Sequence, residues 1–161
     1  GQEFASVLQS FWGWSVDDYR RELRQELLTE KVASTLDTDA HTKANTVLTE
    51  LKSGTNFGDL AKQYSDDQAT KDSGGVYHEL VTQANTDLPP QVVAAAFKLK
   101  VGQNSGVINT GYSLEILKLV ADNNNQLQLA HIQINLNPIS KYIAPLEAKH
   151  PPTYYITLPK A

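Results

Sequence analysis

One histidine and a small set of carboxylates stand where this chain could use them together. His131 lies in the alternating stretch Leu127 to Leu136 and Glu115 in the apolar stretch Ser113 to Ala121, with Asp122-Asn123-Asn124-Asn125 between them. That order reads as a hairpin, and side chains along a strand alternate between faces, so register decides whether the two residues meet. A three-residue loop at Asp122 to Asn124, or a five-residue loop in the same register, pairs Glu115 directly with His131, with Cβ atoms about 5 Å apart. A four-residue loop puts them on opposite faces. A glutamate beside an imidazole holds it in one tautomer or raises its pKa, which suits a polar wall of a binding site and equally a structural hydrogen bond inside a sheet. Asp66-Asp67 opens a polar stretch that ends at Gly74-Gly75, where paired aspartates serve as turn or cap residues or as further site carboxylates.

Other chemistry has little footing. The chain has no cysteine, which removes disulfides, thiolate catalysis and cysteine zinc sites. His41, His78 and His150 show no metal-ligand spacing with carboxylates, and neither a glycine-rich phosphate loop nor a nucleophile motif occurs. With 14 basic and 18 acidic residues in 161, the chain lacks the positive footprint of a nucleic-acid binder. No apolar run approaches the roughly 20 residues that span a bilayer, and no signal-peptide pattern opens the chain. There is no methionine, so Gly1 reads as the start of an excised or processed segment, with any anchor outside it.

The elements that must position these residues are helical first. Glu3 to Asp37 reads as helix with a break at Trp12-Gly13-Trp14, and Ser15 with Asp18 marks the restart. Val16, Tyr19, Leu23 and Leu27 then form a stripe expected to pack on the rest of the domain, opposite a face of alternating charge. A helix from about Asp39 to Lys52 ends at Gly54, and another begins at Asn56 with Phe57, Leu60, Ala61 and Tyr64 on one side. Prolines are tolerated in a first helical turn, so Leu88-Pro89-Pro90 opens a helix expected to run to Leu99, on which Val93 and Phe97 are spaced as a packing pair. Val107-Ile108, Ser113 to Ala121 and Leu127 to Leu136 read as strands. Pro138 to His150 suggests a short helix interrupted at Pro145, and Thr153 to Leu158 has strand propensity.

Asn56-Phe57-Gly58-Asp59-Leu60-Ala61 with Tyr64-Ser65-Asp66-Asp67, then Ser73-Gly74-Gly75, Leu88-Pro89-Pro90, Ala94 to Gly106 and Leu114 to Lys118 follow one another at a spacing that resembles the parvulin family of peptidyl-prolyl cis/trans isomerases, as found in secreted bacterial foldases. The resemblance implies an α+β fold: a parvulin-like domain with a small antiparallel sheet and flanking helices, plus an N-terminal helical segment. Ordinary members begin with a strand carrying His-Ile, whereas Glu30 to Asp37 here looks like a helix end and a link. His131-Ile132 has that strand's character after the last one, which implies a circular permutation with the first family strand relocated to the C-terminal side. The expected division is an N-terminal helical segment over 1–37 similar to PrsA-type and SurA-type chaperones, the permuted domain over 38–136, and an extension over 137–161 packing on the N-terminal helices.

By the same resemblance His131, Asp67 and Glu115 are the catalytic positions and Leu88, Val92, Phe97 and Tyr77 the proline pocket. The family usually carries a second histidine at the Glu115 position, and a methionine and a phenylalanine where Leu88 and Val92 stand. The implied function is a prolyl isomerase assisting the folding of extracytoplasmic proteins in the cell envelope, without cofactor or metal. Its partners are unfolded or proline-containing polypeptides, not nucleic acid, and a membrane is reached only through an anchor outside this chain. The alternative is a non-catalytic holdase or assembly chaperone that uses the parvulin fold to bind peptides.

Overall fold

The structure is a computed structural model and describes residues 2–150; the strand expected at Thr153 to Leu158 lies outside them. Helix α1 (Gln2–Trp12) turns at Gly13, whose φ of 68° suits a residue without Cβ, into α2 (Val16–Leu36). Ser15 and Asp18 form the expected reciprocal cap, the serine hydroxyl accepting from the Asp18 amide and the Asp18 carboxylate from the Ser15 amide. Asp37 then ends α2 and caps α3 (Thr38–Lys52) by accepting from the Ala40 amide. Its other oxygen accepts from the backbone and side-chain amides of Asn137 at 2.7 and 2.8 Å. One buried carboxylate therefore ties the helix junction to the segment that follows the sheet. Burial works against its charge, but the Asn137 and Ala40 donors prevail and hold its pKa below the ordinary aspartate value.

Asn56 caps α4 (Phe57–Tyr64), and α5 (Pro90–Ala96) starts on its prolines and stops three residues short of the expected Leu99. Its last turn unwinds through Phe97, Lys98 and Leu99, whose amides reach back to Val93, Ala95 and Ala96. Helix α6 (Ser140–Lys149) continues through Pro145, where a break was expected. The missing donor there removes one hydrogen bond, on a helix with no buried residue among those described.

Strands β1 (Ile108–Asn109), β2 (Ser113–Asp122) and β3 (Leu127–Asn135) form an antiparallel sheet in the order β1-β2-β3. The free side of β3 is bridged by Val76 and Val81, with the Tyr77 amide donating to the Leu129 carbonyl at 2.9 Å. Helices α3 and α4 cover one face through Val47, Phe57 and Leu60 against Ile116 and Ile132. Helix α5 covers the other through Val92 and Ala96 against Leu117, Leu119 and Leu129. With both faces covered, β3 is buried almost throughout although its sequence alternates.

The hairpin differs from both loops that favour a direct Glu115–His131 pair. Asn123 and Gln126 exchange backbone hydrogen bonds, leaving a two-residue turn at Asn124 and Asn125 with φ of 52° and 64°. That turn has the parity that separates Glu115 from His131. A β-bulge between Leu119 and Ala121 inserts Val120 unpaired and reverses the phase again, so Leu117 faces His131 and Glu115 faces Gln133. Glu115 and His131 thus share a face diagonally.

The N-terminal stripe also departs from expectation. Tyr19, Leu23 and Leu27 stay exposed, and among the described residues of α2 only Ala33 and Ser34 are buried. Phe4 of α1 packs edge-on against Tyr19, and the remaining aromatic surface of Phe11, Trp12 and Trp14 faces outward. Two helices side by side can bury only a narrow seam, and the hydrogen bond that joins α2 to β1, from Asn109 Nδ2 to Ser34 Oγ, lies near the C-terminal end of α2.

Candidate active site

Strand β2 presents Ser113, Glu115 and Leu117 on the α5 side of the sheet, and β3 presents Leu129 and His131 there. His131 Nδ1 lies 3.0 Å from Glu115 Oε2 and Nε2 lies 2.9 Å from Asp67 Oδ2. The Thr70 hydroxyl donates to that same Asp67 oxygen at 2.5 Å, so at 2.9 Å from His131 Nε2 it acts as an acceptor. Both ring nitrogens thus face carboxylate oxygens, an arrangement that favours the imidazolium form. Ser113 Oγ donates to the second Glu115 oxygen at 2.8 Å, and Thr110 Oγ1 lies 2.9 Å from Ser113 Oγ. The result is a continuous chain from Thr110 through Ser113, Glu115 and His131 to Asp67 and Thr70.

Burial separates the roles along that chain. His131 is 3% exposed and Glu115 5%, while the Asp67 side chain keeps 22% of its surface open. Burial alone would push the His131 pKa down, but the hydrogen bond and charge of Glu115, joined by Asp67, outweigh it and raise the pKa above 6.5. Asp67 moves the other way: burial opposes its charge, and the Thr70 hydroxyl, the Ala69 amide and His131 together lower its pKa below 3.8. Tyr77 stacks on the imidazole with ring centroids 4.3 Å apart and planes 25° from parallel. Its own hydroxyl is held neutral by burial and by the nearby Glu115 and Asp67 charges, which push its pKa up.

The loop between α4 and the sheet owes its position to a glycine and a clamp. Asp66 pairs with Lys43 at 3.0 Å and accepts from the Asn135 amide, and its own amide donates to the Gln133 carbonyl. This polar stretch is thus fastened to both α3 and β3. Gly75 has a φ of 79°, and a Cβ there would lie 2.1 Å from the His131 carbonyl oxygen, which only glycine avoids.

The structure brings His131, Asp67, Glu115 and Tyr77 into one cluster, and the other three expected residues stand outside it. Leu88 lines a recess of about 270 Å³ together with Tyr77, Val81, Glu79 and Asp87. Val92 is 1% exposed and belongs to the core beneath that recess. Phe97 packs against the same core but lines a separate hollow with Pro90, Val93 and Gln83. Thr70 and Ser113 were not singled out in the sequence. Ser113 stands two positions before Glu115 and so shares its face, and Thr70 follows Asp67 at the distance of a local side-chain turn. Among the described residues no group of three or more histidines and carboxylates is arranged to hold a metal ion.

A sheet with helices on both faces thus holds a buried imidazole between two carboxylates, with Tyr77 stacked on it and lining the apolar recess. The family described as the PPIC-type PPIASE domain matches residues 27–121, and the chain belongs to this parvulin, or rotamase, family. It is similar to a parvulin-like PPIase of Rickettsia typhi, 34% identical over 126 residues, covering 74% of this chain and 44% of that protein. It is also similar to the foldase protein PrsA 2 of Listeria innocua, 31% identical over 144 residues, covering 74% of this chain and 48% of that one. The chain therefore spans less than half the length of these relatives. A crystal structure of the foldase protein PrsA from Streptococcus pneumoniae, 26% identical, aligns over 92% of this chain and 60% of its own with a TM-score of 0.38.

Proposed function

We propose that this chain catalyses cis/trans isomerisation of X-Pro bonds in polypeptide clients. The supporting observation is the Glu115–His131–Asp67 chain, whose one accessible end, Asp67, belongs to the same cluster as Tyr77, which lines the apolar recess. Rotation about an amide meets a barrier of about 18–20 kcal/mol from resonance, and no covalent step is needed to lower it. In this reading Leu88, Val81 and Tyr77 hold the proline ring and favour the twisted amide, with Val92 and Phe97 supporting the recess from the core side. Asp67, fixed by His131 and Thr70, presents a charge that needs no reorganisation as the amide twists. Glu115, standing where the family usually carries a second histidine, favours the protonated form of His131.

We further read β3 as the family's first strand in a relocated position. Three observations support this circular permutation: the family match ends at residue 121, before β3; the residues ahead of α3 are helical; and β3 pairs antiparallel with β2. The same relationship to foldases supports an extracytoplasmic setting, with a membrane anchor, where there is one, outside this chain.

A second reading, a holdase that binds clients without turnover, is favoured by the exposed aromatic face of α1 and its turn, where Phe11 is 77% and Trp12 61% exposed. Two-dimensional exchange NMR on a panel of X-Pro peptides, run beside an aggregation assay with an unfolded client, separates the two. The isomerase reading expects faster exchange that falls in Leu88→Ala with the fold intact. Unaccelerated exchange for every peptide, with the client still kept soluble, replaces it with the holdase.

A further inference from the structure

The two oxygens of Asp67 are not equivalent. Oδ2 lies 2.9 Å from His131 Nε2 and accepts from the Thr70 hydroxyl at 2.5 Å, whereas Oδ1 accepts from the Ala69 amide at 3.0 Å. A carboxylate oxygen offers two lone pairs, so these partners fill Oδ2 and leave Oδ1 with one to spare. The imidazole by itself would leave both oxygens half-filled. The Thr70 hydroxyl completes the set and so decides which oxygen is left over.

Thr70 is itself fixed from several sides. It is 4% exposed, and its carbonyl accepts from the Ser73 amide at 3.0 Å, the Ser73 hydroxyl at 2.8 Å and the Gly75 amide at 2.8 Å. The Gly75 carbonyl accepts in turn from the His131 amide at 2.8 Å. Thr70 therefore reaches His131 by two routes, through its hydroxyl to the ring, 2.9 Å away, and through the Gly75 turn to the backbone. A hydroxyl that bonds a carboxylate three residues back is by itself an ordinary local turn, but the contact with His131 spans 61 residues and ties that turn to β3.

We propose that Thr70 is the positioning residue of this site: its hydroxyl commits Oδ2 of Asp67 to the interior and leaves Oδ1 as the oxygen presented to the client. This rests on the isomerase reading for the client's place. His131 on β3 is the charged group facing Asp67, with Glu115 of β2 behind it and the neutral Tyr77 hydroxyl nearby, while the adjacent Asp66 is paired with Lys43. Burial opposes the charge of Asp67, and the Thr70 hydroxyl leads the donors that offset it, ahead of the Ala69 amide and His131. Without that hydroxyl the Asp67 pKa rises, so the carboxylate is neutralised sooner as pH falls.

The test compares Thr70→Val, which keeps the shape and removes the hydroxyl, with Thr70→Ser, which restores it. Thr70→Ala, which cannot overpack the buried position, takes the place of the valine variant if that one does not fold. The Asp67 carboxyl carbon is titrated by NMR, and kcat/KM for one X-Pro peptide is followed against pH. Thr70→Val is expected to raise the Asp67 midpoint, to move the acid limb of kcat/KM upward with it, and to lower kcat/KM roughly tenfold at neutral pH, mostly in kcat. Thr70→Ser is expected to return both readouts towards the native chain. Ser73→Ala loosens the same turn without touching Asp67, so it should lower the melting temperature and leave the Asp67 midpoint in place, which is how a merely structural threonine would behave. The titration needs no turnover, so an inactive native chain sinks the isomerase reading and Thr70 is still judged by the midpoint. An unmoved midpoint in folded Thr70→Val, a raised one that Thr70→Ser does not restore, or a native pH profile of kcat/KM in Thr70→Val overturns the proposal.

Discussion

Glu115 and His131 meet on the diagonal of the β2–β3 pair, with Leu117 directly opposite His131 and the two side chains 3.0 Å apart at Oε2 and Nδ1. The contact exists because the bulge at Val120 reverses the phase set by the Asn124-Asn125 turn. Deleting Val120 removes that reversal, so the segment on one side of the deletion must present its side chains to the wrong face. The expected outcome is loss of the His131 pair and a strongly lowered melting temperature. A native-like melt with an unchanged His131 NMR signal contradicts it.

Both turn residues sit in the left-handed region that asparagine tolerates and β-branched residues do not. Asn125→Gly should be neutral or stabilise by up to about 1 kcal/mol, whereas Asn125→Val should cost about 1–2 kcal/mol. Urea unfolding of the two variants measures the difference directly.

Breaking the buried chain is expensive because it strands a partner. Glu115→Ala leaves His131 with one carboxylate and Ser113 without its acceptor, and a loss of about 3 kcal/mol is expected in denaturant unfolding. The same variant should lower the His131 pKa, followed through its ring protons. An unmoved titration shows that Glu115 does not set the imidazole's charge.

Stability should be bounded on both sides of pH by these groups. His131 has a folded pKa above its ordinary 6.5, so its contribution is complete below about that pH and is lost as pH rises through the raised value. Asp67 has a folded pKa below 3.8, so its contribution is complete above that value and is lost as pH falls through the lowered one. Unfolding free energy followed from acid to alkali should therefore be greatest between the two. His131→Ala should remove the alkaline decline.

Much of this was legible in the residues. The Ser15–Asp18 cap, the Asn56 cap and an asparagine turn between β2 and β3 follow from local chemistry, whereas Glu115 reaches His131 on a diagonal and not in the direct pair expected, and Asp67 was grouped with His131 by the family resemblance. The bulge was not legible, since Val120 differs in no way from its apolar neighbours and only pairing with β3 singles it out. Thr70 was missed because its partner His131 lies far along the chain, and Ser113 because its hydroxyl gains a role only once the neighbouring Glu115 belongs to the buried chain. The exposure of Tyr19, Leu23 and Leu27 was misjudged because an amphipathic stripe states that a face needs cover without stating what covers it.

Close contact fixes Gly75 more tightly than its turn does. Gly75→Ala would drive a methyl group into the His131 carbonyl, so β3 or the 66–75 loop must shift and Asp67 must leave His131. A cost of more than about 2 kcal/mol is expected in thermal or urea unfolding, together with loss of any isomerase activity.

The most direct measurement is kcat/KM for one X-Pro peptide by a protease-free assay, comparing the native chain with Asp67→Ala and His131→Ala, each checked for native circular dichroism. An isomerase working through the fixed-charge chain predicts acceleration by the native protein and a loss of roughly tenfold or more in both variants. Full turnover in both folded variants, or none in the native protein, contradicts the account.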